Sequence, residues 1–258
     1  MRRELVDISV ECIRDFASKF KPPLWVAFSG GKDSVVLERL CQMAGVDYEL
    51  HYSCTTVDPP ELVQFIKAHY SQAIWHRPEY SMWELIGTVK TFCPLRQQRW
   101  CCEYLKEQVV PPEGQLLLTG IRWQESKRRS ERRLYEPIKR FKGTPRHFMH
   151  PIIGWRSLEI WEFIKVESIP YCGLYDEGFN RLGCVLCPQQ GQKKMRRDAD
   201  RWPKYAAAYI RALDRAITAR KAAGKAAVSW ETGDEWLEWW IGQAGPESSD
   251  CQLSIFEN

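Results

Sequence analysis

The chain has 258 residues, 44% of them hydrophobic and 27% charged, which is the balance of a globular protein with one sizeable core and excludes a disordered or fibrous chain. Its formal net charge is only +4, but ten Lys/Arg against three Glu fall between Arg122 and Arg146, a patch suited to nucleotide phosphates or a nucleic-acid backbone. No stretch approaches the ~18 apolar residues of a membrane span, and the charges in "MRRELVDISVECIRDF" exclude a signal-peptide core.

A cytoplasmic chain without membrane contact is therefore expected. In that compartment clustered cysteines more often hold metal or do redox chemistry than form disulfides. Leu5, Ile8, Cys12, Ile13 and Phe16 share one face of a helix over 4–20, which "KPP" ends. "LWVAF" (24–28) reads as a short buried strand, and "SGGKDS" then opens an apolar helix closed by Gly45. Cys12 and Cys41 lie on apolar helical faces as small buried hydrophobes. "YELHYSCTT" (48–56) alternates as a strand, Pro59-Pro60 turns the chain, and "ELVQFIKAHY" returns as a helix. "AIWHR" and "QLLLTGI" (115–121) are further strands, with a helix carrying "RWCCEYLK" between them.

Strands alternating with helices predict an α/β fold, a Rossmann-like parallel sheet with helices on both faces. After residue 121 the chain becomes basic and loop-rich. "SLEIWEFIKVES" reads as a helix, a loop holds "GCVLCP", and an Ala-rich helix (about 203–223) and one holding "DEWLEWW" complete a C-terminal helical lobe. The expected organisation is a nucleotide-binding α/β core over 1–150, then a cysteine loop and helical lobe over 151–258.

The first chemical signal is "VAFSGGKDS". A strand ends, two glycines permit positive φ and close backbone approach, and a helix begins. Loop N–H groups and a helix N-terminus together favour oxyanions, normally phosphates. Gly30 and Gly31 shape the turn, Ser29 and Ser34 add hydroxyls, Lys32 adds a cation, and Asp33 caps. The spacing is not that of a Walker A loop.

"SGGKDS" resembles the PP-loop of the adenine nucleotide alpha-hydrolase-like superfamily. "GIRWQESKRR" (120–129) resembles the G-[LI]-R-x-x-x-S-x-x-R signature of phosphoadenosine phosphosulfate (PAPS) reductases. "HPIIGWRSLEIWEFIKVESIPYCGLYDEGFNRLGCVLCP" resembles the later block of the same family, and the likeness runs from about residue 22 to 190. The resemblance implies ATP or an adenylated sulfonucleotide (PAPS, or APS, which lacks the 3′-phosphate) at Ser29–Ser34, with Gly120, Arg122, Ser126 and Arg129 contributing and Mg²⁺ as a further candidate. Lys32, Arg122 and Arg129 are the candidate catalytic cations. Arg122 and Arg129 lie two helical turns apart if the segment is helical, so their forks would face one ligand. Asp58, in "TTVDPPE", stands where the family has a strand-end Asp, the position for an adenine or ribose in such a sheet. Here Pro-Pro follows it instead of Thr-Gly.

Cys184 and Cys187 form a C-x-x-C that by itself fits a redox pair, a zinc half-site or a cluster half-site. The adjacent Cys101 and Cys102, followed roughly eighty residues later by that C-x-x-C, resemble the [4Fe–4S] signature of the iron–sulfur branch of sulfonucleotide reductases. A single zinc suits this spacing less well, because its thiolate pairs usually sit two to four residues apart. Cys93 is held as a reserve ligand, as in related PP-loop proteins of DNA phosphorothioation.

Three functions follow from the resemblance. The first is an ATP pyrophosphatase or adenylyl-transfer enzyme in sulfur transfer, with a sulfur donor as partner and nucleic acid held by 122–146. The second is a sulfonucleotide reductase releasing sulfite with thioredoxin, whose tail nucleophile would have to be Cys251. The chain ends "SSDCQLSIFEN" rather than in the family's Glu-Cys-Gly-[Ile/Leu]-His, so that reaction does not transfer outright. The third is a non-catalytic nucleotide-binding accessory protein of a mobile-element or defence system.

Overall fold

The computed structural model describes residues 3–138, 146–225 and 229–242. Helix α1 (Arg3–Ala17) precedes strand β1 (Leu24–Ala27), and α2 (Lys32–Ala44) leads to β2 (Tyr48–Ser53). Next come α3 (Pro60–His69), β3 (Ile74–His76), the short α4 (Met82–Glu84) running into a π-helical turn over Leu85–Val89, and α5 (Trp100–Leu105). Strand β4 (Leu116–Leu118) is followed by α6 (Lys127–Ser130), β5 (Tyr135–Ile138), β6 (Arg146–Met149) and α7 (Ser157–Val166). The helical C-terminal part holds α8 (Gln192–Arg201), α9 (Pro203–Ala222) and α10 (Gly233–Gly242).

The strands form one six-stranded sheet in the order β3-β2-β1-β4-β6-β5. The first five are parallel, with Leu24 beside Tyr48 and Trp25 beside Leu117, and only β5 runs antiparallel, against β6. The chain is thus an α/β protein, as the alternation of strands and helices implies. Its order reverses direction between β1 and β4, which opens a crevice at the carboxyl ends of those two strands.

Strands β5 and β6 lie inside the basic stretch that reads as loop. Their polar residues suit a strand pair at the sheet edge, where Pro137 need not donate to a further neighbour. Helix α8 also lacks a sequence signal, since "QKKMRRDADR" buries only Met195 and Asp198.

Helix α2 is buried almost all round, with Val35, Val36, Leu37, Leu40 and Cys41 inaccessible, and it ends on Gly45 in the left-handed conformation. One contiguous apolar core runs from Val6 to Ile241 and includes Tyr209, Trp236 and Trp240, so the C-terminal helices are packed into the same core as the sheet. Their tryptophans are packing residues, as their spacing implies. Among the described residues no helix is long and apolar enough to cross a membrane.

Candidate functional site

The turn between β1 and α2 is held by its own hydroxyls. Ser34 Oγ donates to the Gly31 carbonyl at 2.8 Å, and Ser29 Oγ lies 3.3 Å from Ser34 Oγ. Gly30 adopts φ +70°, and a Cβ there would stand 2.7 Å from Ile66 Cγ1, so both conformation and space require glycine. Gly31 precedes α2 in an extended conformation without a side-chain cap, which leaves the first turn of this thirteen-residue helix to other partners. One of these is the Tyr175 hydroxyl, which accepts from the Lys32 backbone N–H at 2.9 Å. Burial is the main cause pushing the Tyr175 phenol well up, so it stays neutral.

Asp33 and Arg122 tie this turn to the loop after β4. Arg122 Nε donates to Asp33 Oδ1 at 2.7 Å, and Lys32 Nζ lies 3.2 Å from Asp33 Oδ2; all three side chains are buried. Lys32 Nζ also reaches the Asn180 carbonyl at 3.4 Å. Gly120 lets β4 approach: a Cβ at this position would be 3.2 Å from the backbone of Asp33. Arg122 further donates to the Trp155 carbonyl at 3.2 Å, and its tip lies 3.4 Å from Ser157 Oγ.

The segment carrying Arg122 and Arg129 is not one helix. Arg122 is extended, Trp123–Glu125 forms a 3₁₀ turn, and α6 has four residues. The two arginines are linked through Glu125 instead, whose Oε2 accepts the Arg122 backbone N–H at 3.0 Å and also pairs with Arg129. Ser126 caps α6 by accepting from the Arg129 N–H at 3.2 Å. Much of the basic excess is therefore internal, because Arg122, Arg129 and Arg132 pair with Asp33, Glu125 and Glu136. Asp58 points into its own turn, accepting the Thr55 N–H at 2.8 Å, while its carbonyl accepts from the Tyr205 hydroxyl.

A cleft of ≈ 740 Å³ opens beside these groups, lined among others by Lys32, Arg122, Ser157, Trp161, Tyr175 and Arg181. Arg129 and Asp58 are not among its walls. Tyr175, Asn180 and Arg181 were not singled out from the sequence. They stand in "LYDEGFNR", a stretch notable only as part of a longer resemblance, with no periodicity to mark single residues.

The four cysteines come together. Cys101 and Cys102 on α5 and Cys184 and Cys187 from the loop before α8 line one tight cavity of ≈ 30 Å³, with Met82, Leu105, Tyr209 and Trp240 among its walls. Leu186, between the loop cysteines, has φ +59°. Its N–H donates to Asp198 Oδ2 at 3.1 Å, and Gln190 Nε2 donates to the same oxygen at 2.7 Å and to the Cys184 carbonyl at 3.0 Å. Burial pushes the Asp198 carboxyl up to about 6. It also pushes the Cys184 thiol up to about 11, against the pull of Lys106; the Cys101 thiol is raised by its hydrogen bond with Cys102 and by burial. Cys93 is fully buried and is not a wall of this cavity.

Among the described residues, no three His, Cys, Asp or Glu side chains enclose a single metal ion. Four thiols from two distant segments around one apolar-walled cavity nevertheless match the donor set of an iron–sulfur cube, which spreads its thiolates over four irons rather than gathering them on one.

Fold and site define an α/β protein with a glycine turn at the switch point of a mostly parallel sheet and a four-cysteine cavity nearby. The chain belongs to the phosphoadenosine phosphosulfate reductase domain family, whose profile matches residues 23–190. The uncharacterized protein MJ0066 of Methanocaldococcus jannaschii is 31% identical over 204 residues, covering 74% of this chain and 42% of that protein. The chain spans about half the length of the first curated relatives it matches. The adenosine 5′-phosphosulfate reductase of Oceanobacillus iheyensis is 28% identical over 164 residues, 61% of this chain and 65% of that protein. Among solved structures, Candida glabrata FMN adenylyltransferase in complex with ATP superposes with a TM-score of 0.52 at 17% identity, over 73% of this chain and 62% of that one. This last likeness shows the fold alone.

Proposed function

We infer that the chain binds ATP or a related adenine nucleotide with its phosphates at Ser29–Ser34 and uses it for adenylyl transfer in sulfur chemistry, with the four cysteines holding a [4Fe–4S] cluster. The observation that carries this reading is the meeting of two loops at the sheet's switch point. The β1 turn and the Gly120–Arg122 loop are locked by the Arg122–Asp33 pair beside an open cleft. Helix α2 would direct its N-terminus at the phosphates, a phosphoryl oxygen replacing Tyr175 on the Lys32 N–H.

In the proposed step an oxygen of the acceptor attacks the α-phosphorus and the bond to the bridging oxygen breaks. The electron pair leaves with pyrophosphate. Lys32 and the α2 amides would neutralise that charge as it develops. Arg122 has its Nε committed to Asp33 and one terminal nitrogen to the Trp155 carbonyl, with its tip near Ser157 on the cleft wall, so in this reading its part is to hold the two loops together and present a fixed positive edge. Cys101, Cys102, Cys184 and Cys187 would hold the cluster, which when bound would supply electron transfer or a fixed centre for sulfur beside the nucleotide.

Anaerobic purification tests the cluster. About four irons per chain are expected, falling by at least half in Cys184→Ser, while Cys93→Ser retains them. A colourless protein with one zinc per chain would overturn this assignment. Calorimetry with ATP and PAPS side by side, followed by pyrophosphate and sulfite assays, tests the reaction. Pyrophosphate release from ATP, unchanged in Cys251→Ser, is the expected result. The relatives named as adenosine 5′-phosphosulfate reductases favour a second reading, sulfonucleotide reduction. Thioredoxin-dependent sulfite release that vanishes in Cys251→Ser would establish it in place of the first; Cys251 itself lies outside the described residues.

A further inference from the structure

Three residues before Cys184, Arg181 sits on the wall between the nucleotide cleft and a second, smaller pocket. It lines both, as does Asn180, whose carbonyl holds the Lys32 ammonium. Both terminal nitrogens of Arg181 are shielded from solvent, and neither has a hydrogen-bond partner. A guanidinium forced away from water without an acceptor is costly, since its charge and up to four terminal N–H donors go uncompensated. Arg181 as a whole is half-buried, whereas the fully buried cations of the site each have a partner: Arg122 has Asp33, Arg129 has Glu125, and Lys32 has Asp33 and the Asn180 carbonyl.

Lys194 and Arg197 on α8 line the smaller pocket with Arg181, and among its described walls no carboxylate appears, while the Gln190 amide is committed to Asp198 and the Cys184 carbonyl. Arg197 lies flat over the Phe179 ring, 3.6 Å from its centre, with its Nε shielded and unpartnered, and its tip approaches Asp198 only to 4.0 Å. Three cations from two chain segments thus line one small pocket, between the stretch that carries Asn180, whose carbonyl reaches Lys32, and helix α8.

We propose that Arg181, with Lys194 and Arg197, forms an oxyanion subsite for a tetrahedral phosphoryl or sulfo group lying beyond the one held at the glycine turn. This deepens the nucleotide reading and rests on it for the identity of the ligand. The subsite takes the outer phosphates of a nucleoside triphosphate, or the pyrophosphate that departs from it. It discriminates ligands by the length of their anionic tail and not by their base. A planar guanidinium suits this task, because two parallel N–H donors match two oxygens of one phosphate.

The test is calorimetry on the whole, anaerobically purified protein with three probes, AMP, ATP and inorganic pyrophosphate, against wild type, Arg181→Gln, Arg181→Lys and Lys194→Gln. Arg181→Gln should weaken ATP and pyrophosphate by about tenfold or more while AMP stays within about twofold. Arg181→Lys should recover part of the loss, and Lys194→Gln should repeat it more weakly. An unchanged thermal midpoint separates these effects from misfolding, and Lys194→Gln keeps the test open if Arg181 variants do not fold. If nucleotides bind and the Arg181 and Lys194 variants leave all three affinities within twofold, the subsite is refuted and the nucleotide reading stands. If wild type binds pyrophosphate in an Arg181-dependent way but neither nucleotide, the subsite stands and the nucleotide reading falls. Equal losses for AMP and ATP in Arg181→Gln would also refute the subsite, since Arg181 would then serve the site as a whole.

Discussion

Replacing Gly30 with alanine probes the turn on which the site depends. At φ +70° an L-residue gives up about 1 kcal/mol relative to glycine. The new methyl would also stand 2.7 Å from Ile66 Cγ1 and 2.8 Å from both Ile66 Cδ1 and Leu62 Cδ1, where carbon atoms ordinarily rest about 3.5–4.0 Å apart. Both lie on α3, Ile66 fully buried and Leu62 nearly so, so relief requires movement of that helix or strained rotamers costing about 1–3 kcal/mol. The expected destabilisation is about 2–4 kcal/mol. Equilibrium unfolding in urea, followed by tryptophan fluorescence, measures it. The two contributions separate in a double-mutant cycle with Ile66→Ala, which removes the clashing atoms and leaves the conformational cost. That cycle should show about 1–2 kcal/mol of favourable coupling. A loss below about 1 kcal/mol for Gly30→Ala, together with an additive cycle, would show that the turn tolerates a side chain and that the steric argument is wrong.

Arg122→Met leaves Asp33 buried with only Lys32 beside it and should cost about 3–5 kcal/mol; adding Asp33→Leu should recover part of that loss, and strictly additive unfolding energies would count against a shared pair. His51 stacks on Trp25 with ring centres 3.2 Å apart and meets His76 at 2.8 Å, and burial first, then His76, pushes its pKa from 6.5 down to about 4. A depressed histidine favours the fold while neutral, so this stability is complete above pH 6.5 and is lost as pH falls toward 4. Unfolding free energies from urea titrations between pH 7 and 4.5 should therefore drop less steeply in His51→Gln than in wild type, by about 1–2 kcal/mol over that range, and parallel curves would remove His51 as the cause.

Much of the fold was legible in the order of residues because its main elements carry local signals. Alternation marks β2, Gly45 closes α2, and the strand-glycine-helix turn at Ser29–Ser34 is a contiguous pattern that needs no distant partner. Strands β5 and β6 and helix α8 escaped because they are polar elements at an edge or on the surface, formed by pairing and packing that periodicity does not record. The spacing of Arg122 and Arg129 suggested a shared helix face, whereas Glu125 joins them across a broken segment, since a carboxylate's reach does not depend on helical phase.

The resemblance to iron–sulfur sulfonucleotide reductases marked Cys101, Cys102, Cys184 and Cys187 as a set, but only the packing of α5 against the loop before α8 brings them to one cavity. The same holds for Arg181. Its place beside Lys32, and the shielding that leaves its terminal nitrogens without acceptors, arise from contacts between segments almost 150 residues apart. Local order is set by neighbours along the chain, so the sequence by itself determined the strand-turn-helix unit and the identity of the chemical groups. Burial and mutual approach depend on the whole chain, so the tertiary structure alone decided which charges are neutralised, which are left waiting, and what lies beside them.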